Sequence, residues 1–423
     1  MPFITNIYKY FCLRNIRADV KGMKILFVAT HPSIGTGYGR VANKISNHLA
    51  NSPGIEVIYF AFQNYKTSQI SDRFIDPRIK FYDSIDLEPE TQSGMGLKAL
   101  GSVIVDEKPD ALFIYSDLTV TLSVMNEIPN GHIPDNLYSY LDIVYPWQNV
   151  RMYQKLQSYN FNRIWVFTEY WKRHLVNDLD FEPGQVVRMV HGIDTERFRD
   201  ITDIDIKKSL GLEPDDFLIL NMNTNNERKC WDITIRAFIE LLSREKMNPR
   251  LKLFCGGRRR AHNGYDIPDI VLMECTRKRL DVSNVFENHI LFNKRPFLLT
   301  DEEVNILYNI GDVGLNTTCG EGFGLTTLEH LYFNKPQVVT AVPALRETLG
   351  SHGHLVKHKV AICTTSREPE GGLFMICDYR EIADKLQYCF RHPDERPDAR
   401  EYVKQTYSWT HMYKILDEEF STQ

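Results

Sequence analysis

A strand, a glycine-rich loop and a helix follow one another between residues 313 and 336, and they constrain the fold most. The apolar run VGLNTT is predicted to be a strand, and it leads into the loop CGEGFGL, where glycines alternate with Glu321 and Phe323. Thr326 and Thr327 are predicted to cap the helix that follows. This order brings backbone N–H groups and the positive end of a helix dipole to one point, which favours a bound phosphate or another anion.

Two carboxylates accompany this predicted anion site. Glu321 lies in the loop, and Glu329 is expected roughly two turns into the helix. A ligand with a diphosphate, a ribose and a sugar explains both, because a ribose diol is bound well by a carboxylate while the phosphates occupy the helix end. The alternative is a glycine-rich turn with two solvated glutamates.

The stretch EGFGLTTLEHLYFNKPQVV resembles the signature of the retaining GT-B glycosyltransferases of family 4 (glycosyltransferase group 1). The resemblance implies an α/β fold with two facing doubly wound Rossmann-like domains and a cleft between them. It implies that Glu321 acts on the transferring sugar and that Glu329 binds the donor's ribose. The other donor-binding residues that it implies in this loop are Gly322, Phe323, Gly324 and Leu325.

Length and composition agree with a chain of two domains. A chain of 423 residues is too long for one ordinary core. A net charge of −5 does not indicate a nucleic-acid partner, and no apolar window is long enough to span a bilayer. The eight scattered cysteines are typical of reduced thiols and predict a cytoplasmic protein.

Four segments are predicted. They are an N-terminal extension (1–22), an acceptor-side Rossmann-like domain (23–200), a nucleotide-sugar-binding Rossmann-like domain (201–405) and a C-terminal helix that packs back on the first domain (406–423). Residues 1–22 allow two interpretations: a frayed extension, or a short amphipathic helix that attaches the protein peripherally to a membrane surface.

A second glycine-rich loop follows the first predicted strand, ILFVAT. Its spacing is G-x-G-x-G (Gly35, Gly37, Gly39), and the next strand ends at Gln63 rather than at an acidic residue, so a nicotinamide site is not expected. In family 4 the equivalent loop reaches the donor, and the resemblance assigns Gly37 and Gly39 to donor binding. Gly39 and Arg40 replace what normally follows, and the form is similar to versions from large DNA viruses.

Asp142 is expected at the carboxyl end of the predicted strand LYSYLDI, where ligands bind in such sheets. In many family members a histidine near this point contacts the donor sugar, so the resemblance makes Asp142 a catalytic candidate. An aspartate that only caps the turn before Pro146 is an equal alternative. His191, later in the chain, replaces an asparagine that is usual in the family.

A basic pair precedes the predicted amphipathic helix of the second domain. Arg228 and Lys229 resemble the family's motif that holds the donor diphosphate. The usual earlier arginine has become Asn223, and the usual glycine after the lysine has become Cys230. Arg228 can compensate, because a guanidinium grips phosphate at two points.

Two DxD patterns, at 178–180 and 203–205, match the metal ligands of the other large glycosyltransferase fold. Both lie in charged, surface-like stretches and are interpreted as fortuitous. No metal site and no cofactor are predicted.

The resemblance therefore predicts a retaining, metal-independent hexosyltransferase. Its donor would be a GDP- or UDP-sugar, and its acceptor a glycan, a lipid, a protein-linked group or another hydroxyl compound. The alternatives are a nucleotide-sugar epimerase and a non-catalytic binding module, because Asn223 and Asp142 depart from the family pattern. The sequence identifies neither the base, the sugar nor the acceptor.

Overall fold

The structure is a computed structural model. It describes residues 22–64, 73–90, 95–201, 206–294, 299–364 and 371–421. The predicted extension, apart from residue 22, and the DxD pattern at 203–205 lie outside the described residues.

A seven-stranded parallel sheet forms the core of the N-terminal domain, in the order β3-β2-β1-β4-β5-β6-β7. Its strands are β1 (Met23–Thr30), β2 (Ile55–Phe62), β3 (Lys80–Asp83), β4 (Ala111–Asp117), β5 (Asn136–Asp142), β6 (Arg163–Val166) and β7 (Val186–Arg188). Alternate residues of β1 enter different cores: Ile25 and Phe27 lie in one, and Leu26 and Val28 in the other. The sheet is therefore covered on both faces, as uninterrupted apolar strands require.

The helices of this domain follow the strands in alternation. They are α1 (Gly37–Asn51), α2 (Ser84–Leu87), α3 (Leu100–Glu107), α4 (Leu118–Asn126), α5 (Val150–Gln157) and α6 (Glu169–Arg173). A π-helical turn, His174–Asp178, extends α6. His174 Nε2 accepts from the Trp147 amide, so Nδ1 carries the proton and donates to Asp178 Oδ2 at 2.7 Å. This member of the first DxD pattern is therefore engaged within its own turn.

A six-stranded parallel sheet forms the core of the C-terminal domain, in the order β10-β9-β8-β11-β12-β13. Its strands are β8 (Phe217–Asn221), β9 (Leu251–Cys255), β10 (Ile290–Phe292), β11 (Val313–Asn316), β12 (Gln337–Thr340) and β13 (His354–Val356). The remaining helices are α7 (Ile206–Ser209), α8 (Trp231–Arg244), α9 (Ile267–Lys278), α10 (Val282–Asn288), α11 (Asp301–Ile310), α12 (Leu325–Leu331), α13 (Pro343–Leu349), α14 (Tyr379–Arg391), α15 (Arg400–Thr406) and α16 (Trp409–Ser421).

A hairpin of β14 (His358–Thr364) and β15 (Gly372–Cys377) connects the two domains. The amide of Leu373 donates to the Pro146 carbonyl at 2.9 Å, and the amide of Met375 donates to the Cys319 carbonyl at 2.9 Å. One strand thus binds the loop after β5 and the loop after β11.

The last helix, α16, packs on the N-terminal domain. Phe420 contacts the rings of Tyr138 and Trp165, with centroids 4.9 and 6.2 Å away. Glu419 pairs with Arg163 at 2.9 Å. The chain therefore crosses back from the second domain to the first at its C-terminus.

The fold class predicted from the sequence is confirmed: two doubly wound parallel-sheet domains face each other. One local prediction is wrong. The helix after the central glycine loop begins at Leu325 behind Gly324, which adopts a left-handed φ of 95°, and no side chain caps it. Thr327 instead lies inside α12 and accepts a hydrogen bond from Asn316 at 3.2 Å. Glu329 is thus little more than one turn into the helix.

Within the described segments, no helix combines the length and the apolar character that crossing a membrane requires.

Candidate active site

A cleft of about 390 Å³ lies between the domains, at the carboxyl ends of both sheets. Both glycine loops and the ends of β5 and β8 contribute to its walls. Most of the predicted site residues line it, namely Gly37, Asp142, Arg228, Lys229, Glu321, Gly322, Phe323, Gly324, Leu325 and Glu329. The fold therefore brings together residues that are separated by up to 292 positions in the chain, from Gly37 to Glu329.

Arg228, Lys229 and Glu321 form a charged cluster on the C-terminal wall of the cleft. Lys229 Nζ pairs with Glu321 Oε2, and Arg228 Nη1 lies 3.4 Å from Glu321 Oε1. Arg228 also donates to the Gly320 carbonyl at 2.9 Å, which fixes its guanidinium against the glycine loop. All three side chains are largely buried, so their charges interact strongly.

The ionisation of this cluster follows from its burial and its excess of positive charge. Burial and then the neighbouring Arg228 lower the pKa of Lys229 to about 8. Burial works to raise the pKa of Glu321, but the charges of Lys229 and Arg228 outweigh it and lower that pKa. Two cations thus share one carboxylate, which leaves positive charge for an anionic ligand.

The two basic residues stand in a short turn before α8, where the backbone is unusual. Residues 227–229 form a 3-10 turn, and Cys230 after them has φ 46° and ψ 54°. This left-handed conformation is the one that glycine adopts at no cost. Cys230 has the backbone conformation expected of the glycine that family 4 has at this position. Because cysteine carries a Cβ atom, this conformation strains the backbone at Cys230.

Asp142 lies across the cleft from this cluster, at the end of β5. Tyr38 donates to its Oδ2 at 2.5 Å, and its Oδ1 has no hydrogen-bond partner among the described residues. Burial raises the pKa of Asp142 to about 6, against the opposing effects of Tyr38 and then Arg228. Asp142 lines the cleft with Oδ1 packed against the glycine loop, and in no described contact does it cap the turn before Pro146.

Glu329 is held from both domains. Arg40 Nη1, on α1, lies 2.5 Å from Glu329 Oε1, and Tyr308 on α11 donates to Oε2 at 2.8 Å. Only 3% of the Glu329 side chain is exposed. The carboxylate is therefore fixed at the cleft wall in an ionic contact that joins the two domains.

The two glycines predicted to bind the donor differ in position. Gly37 lines the cleft, and a Cβ there would come 3.2 Å from Leu325 Cδ1 of the opposite domain. Gly39 is not among the lining residues. A Cβ there would lie 2.5 Å from the Ile34 carbonyl and 2.9 Å from that of His31, so this glycine is required by packing inside its own loop.

His191 closes the floor of the cleft between aromatic rings. Its Nδ1 lies 2.7 Å from the Tyr140 hydroxyl, and its ring contacts Phe167 and Phe323 at centroid distances of 4.1 and 4.9 Å. Burial and then Arg40 lower the pKa of His191 to about 3, so the imidazole is neutral at physiological pH.

Sequence reasoning missed several residues of the cleft: Tyr38, Arg40, Arg73, Arg197, Asn293, Asp301 and Tyr308. Tyr38 and Arg40 could have been found, because they directly follow Gly37 in a predicted ligand loop. The others reach the cleft from a helix or a connecting segment with no motif of its own.

No group of three or more His, Cys, Asp or Glu side chains suited to a metal ion occurs in the described part of the chain.

Comparison with known proteins gives a distant sequence match and a broad match in fold. No protein-family model matches the sequence. A D-inositol 3-phosphate glycosyltransferase of Catenulispora acidiphila is 24% identical over 201 residues, and the match spans 46% of this chain and 44% of that protein.

Two solved structures superpose over nearly the whole chain. Sucrose-phosphate synthase from Thermosynechococcus elongatus has a TM-score of 0.68 at 14% identity, covering 95% of this chain and 98% of that one. Anabaena Alr3699/HepE in complex with UDP-glucose has a TM-score of 0.66 at 15% identity, covering 95% and 100%. The protein therefore has the two-domain fold of the GT-B glycosyltransferase structures.

Proposed function

We propose that this protein is a retaining glycosyltransferase of family 4 that moves a hexose from a nucleotide diphosphosugar to a hydroxyl acceptor. One observation carries the proposal: Glu321 and the basic pair Arg228–Lys229 meet in the interdomain cleft, with Glu329 in the same cavity. This arrangement supplies cations for a diphosphate, a carboxylate for the sugar and a second carboxylate for the ribose.

Different residues of the cleft bind different parts of the donor. Arg228 and Lys229 bind the diphosphate, as charge-assisted hydrogen bonds to phosphate are strong and directional. Glu321, which these cations hold, then lies beside the sugar, where positive charge develops at the anomeric carbon in the transition state. Gly322, Phe323, Gly324 and Leu325 form the loop that passes close to the donor.

The transfer needs no covalent intermediate and no metal. The acceptor oxygen bonds to the anomeric carbon while the bond from that carbon to the diphosphate oxygen breaks. The diphosphate takes the acceptor's proton on the same face, which retains the configuration. Arg228 and Lys229 balance the charge of the leaving group. In metal-dependent enzymes a bound metal ion stabilises such charge.

The donor is proposed to be a UDP- or GDP-sugar. The structural similarity to Anabaena HepE, whose structure holds UDP-glucose, favours UDP. The acceptor is proposed to be a glycan, a lipid or another hydroxyl compound. We place the protein in the cytoplasm, with residues 1–22 as a candidate peripheral membrane anchor.

A thermal-shift screen against UDP, GDP, ADP and their sugars tests the donor, because a ligand that binds the folded state raises the melting temperature. NMR of the product from the stabilising sugar then reads the anomeric configuration. A product with the donor's configuration, bonded to an acceptor, supports the proposal, and an inverted product contradicts it.

The departure at position 223 is the reason to test for a donor-only protein. Asn223 lines the cleft, but its amide donates to Asn221 Oδ1 at 2.7 Å and it carries no charge for the diphosphate. A nucleotide-sugar epimerase would convert or hydrolyse the donor without an acceptor, and a binding module would be stabilised by the nucleotide with no turnover.

A further inference from the structure

We propose that Arg40 is a positioning residue for the donor, which holds Glu329 in the orientation that binds the ribose diol. Through Arg40 the N-terminal domain would contribute to recognition of the ribose. The inference rests on the proposed function, because it takes the contact between Glu329 and the ribose from it.

The carboxylate of Glu329 is held at both of its oxygens. Arg40 Nη1 lies 2.5 Å from Oε1, and the Tyr308 hydroxyl donates to Oε2 at 2.8 Å. These donors come from α1 and α11, which belong to different domains. The carboxylate cannot turn without losing one of the two contacts.

A ribose diol can bind Glu329 while both contacts persist. An ionised carboxylate offers about four acceptor positions, of which Arg40 and Tyr308 use one each. Two remain for two adjacent hydroxyls. Since Arg40, Tyr308 and Glu329 all line the cavity, a ligand can reach the carboxylate beside the arginine.

The backbone that carries Arg40 is fixed by its own loop. Thr36 caps α1 by accepting from the Gly39 amide at 3.3 Å. Gly39 itself is packed so closely on the carbonyls of His31 and Ile34 that no Cβ fits. Arg40 therefore starts from a backbone position that its own loop fixes, and the contact with Glu329 holds its guanidinium.

The two further acidic residues whose charges act on Arg40 in the described part of the chain are already paired, Asp194 with Lys44 at 2.8 Å and Asp301 with two arginines. Asp301 Oδ1 lies 2.7 Å from Arg197 and 3.8 Å from Arg73. Arg73 also donates to the Ile34 carbonyl at 2.7 Å. Asp301 thus pairs with Arg73 and Arg197, and Arg40 pairs with Glu329.

The experiment measures nucleotide binding by calorimetry for the wild type and for Arg40→Met, with UDP and with 2′,3′-dideoxy-UDP. If the wild type binds GDP and not UDP, GDP and 2′,3′-dideoxy-GDP take their place. The dideoxy form lacks both ribose hydroxyls. In the wild type, we expect the loss of these two hydroxyls to weaken binding by about tenfold or more, as for a hydrogen bond to a charged group. In Arg40→Met, UDP should bind about tenfold more weakly and the ratio between the two nucleotides should fall to about two.

Arg199→Met is the matched control. Arg199 pairs with Glu302 of α11 at 3.0 Å, but both side chains are more than half exposed and neither lines the cleft. This variant should keep the wild-type ratio. Arg40→Lys keeps a charge but loses the guanidinium fork, so it should give an intermediate ratio, and it replaces Arg40→Met if that variant does not fold.

The outcomes separate this inference from the proposed function. If the wild type binds neither UDP nor GDP, the proposed function falls, and the inference falls with it. If the wild type distinguishes the two nucleotides and Arg40→Met does so equally, the inference alone is overturned. Tighter UDP binding by Arg40→Met overturns it as well, because Arg40 would then compete with the ribose.

Discussion

Asp142 Oδ1 occupies the space that the Cβ atom of any other residue at position 322 would take. A Cβ on Gly322 would come within 1.9 Å of this oxygen and 3.3 Å of the Phe167 ring. The end of β5 and the central glycine loop belong to different domains, so this contact sets how closely the two walls of the cleft approach. The shape of the cleft beside Glu321 thus depends on glycine at 322.

Gly322→Ala should therefore displace the loop that carries Glu321. Overpacking of this kind costs about 1–3 kcal/mol, and the shift of the loop should lower kcat by more than tenfold. Urea unfolding and steady-state kinetics measure the two effects. Gly184→Ala is the control, since nothing lies within 4 Å of a Cβ at Gly184. Wild-type kinetics in Gly322→Ala would show that the loop does not need this close approach.

Asp142→Asn should stabilise the protein in a pH-dependent way. Because the folded pKa of about 6 exceeds the ordinary value of 3.8, ionisation of Asp142 opposes folding. The penalty begins above the ordinary pKa and is complete above the folded pKa. We therefore expect the gain from Asp142→Asn to be about 1 kcal/mol larger at pH 7 than at pH 5. Urea unfolding at both pH values measures it, and equal gains would mean that Asp142 titrates normally.

The apolar strands predict the two sheets, and the resemblance to family 4 predicts that the glycine loop and the basic pair bind one ligand. Uninterrupted apolar strands such as ILFVAT have one stable position, inside a covered parallel sheet. The carboxyl ends of such strands share one edge, which is why Glu321 and Lys229, 92 positions apart, could be expected to meet.

The contacts between the domains could not be predicted in this way. Arg40 and Glu329 are 289 positions apart, and their pairing depends on how one domain is placed on the other, which no local pattern encodes. The helix start at Gly324 was missed for a different reason. Thr326 and Thr327 predict a side-chain cap. The helix instead begins one residue earlier, at Leu325, because Gly324 adopts a positive φ that glycine allows.

Lys229 provides a test through the pH dependence of nucleotide binding. Its pKa of about 8 means that the ammonium loses its proton in the free protein above that pH. Under the proposed function a diphosphate binds the charged form, so the Kd for UDP should rise by up to about tenfold per pH unit above pH 8. Lys229→Met should bind UDP about ten- to a hundredfold more weakly at pH 7, and its Kd should change much less between pH 8 and 9.

Uridine is the control ligand for that experiment. It lacks phosphates, so its affinity should be nearly the same for the wild type and for Lys229→Met. Equal weakening of uridine and UDP would place Lys229 away from the diphosphate.

The last prediction separates the two glutamates, each of which contacts an arginine and is largely buried. The proposed function assigns Glu329 to the ribose, which is bound alike in the ground state and the transition state. Glu329→Gln should therefore raise KM for the donor by about tenfold and leave kcat nearly unchanged. Glu321 is assigned to the sugar, where charge develops during transfer, so Glu321→Gln should lower kcat by about a hundredfold or more. Its affinity for UDP should change much less than kcat, because Lys229 and Arg228 lose a competing carboxylate while the pKa of Lys229 loses the raising effect of Glu321. Steady-state kinetics with separate UDP calorimetry decides the matter: normal turnover in Glu321→Gln, with no turnover of Glu329→Gln at saturating donor, would reverse the two roles.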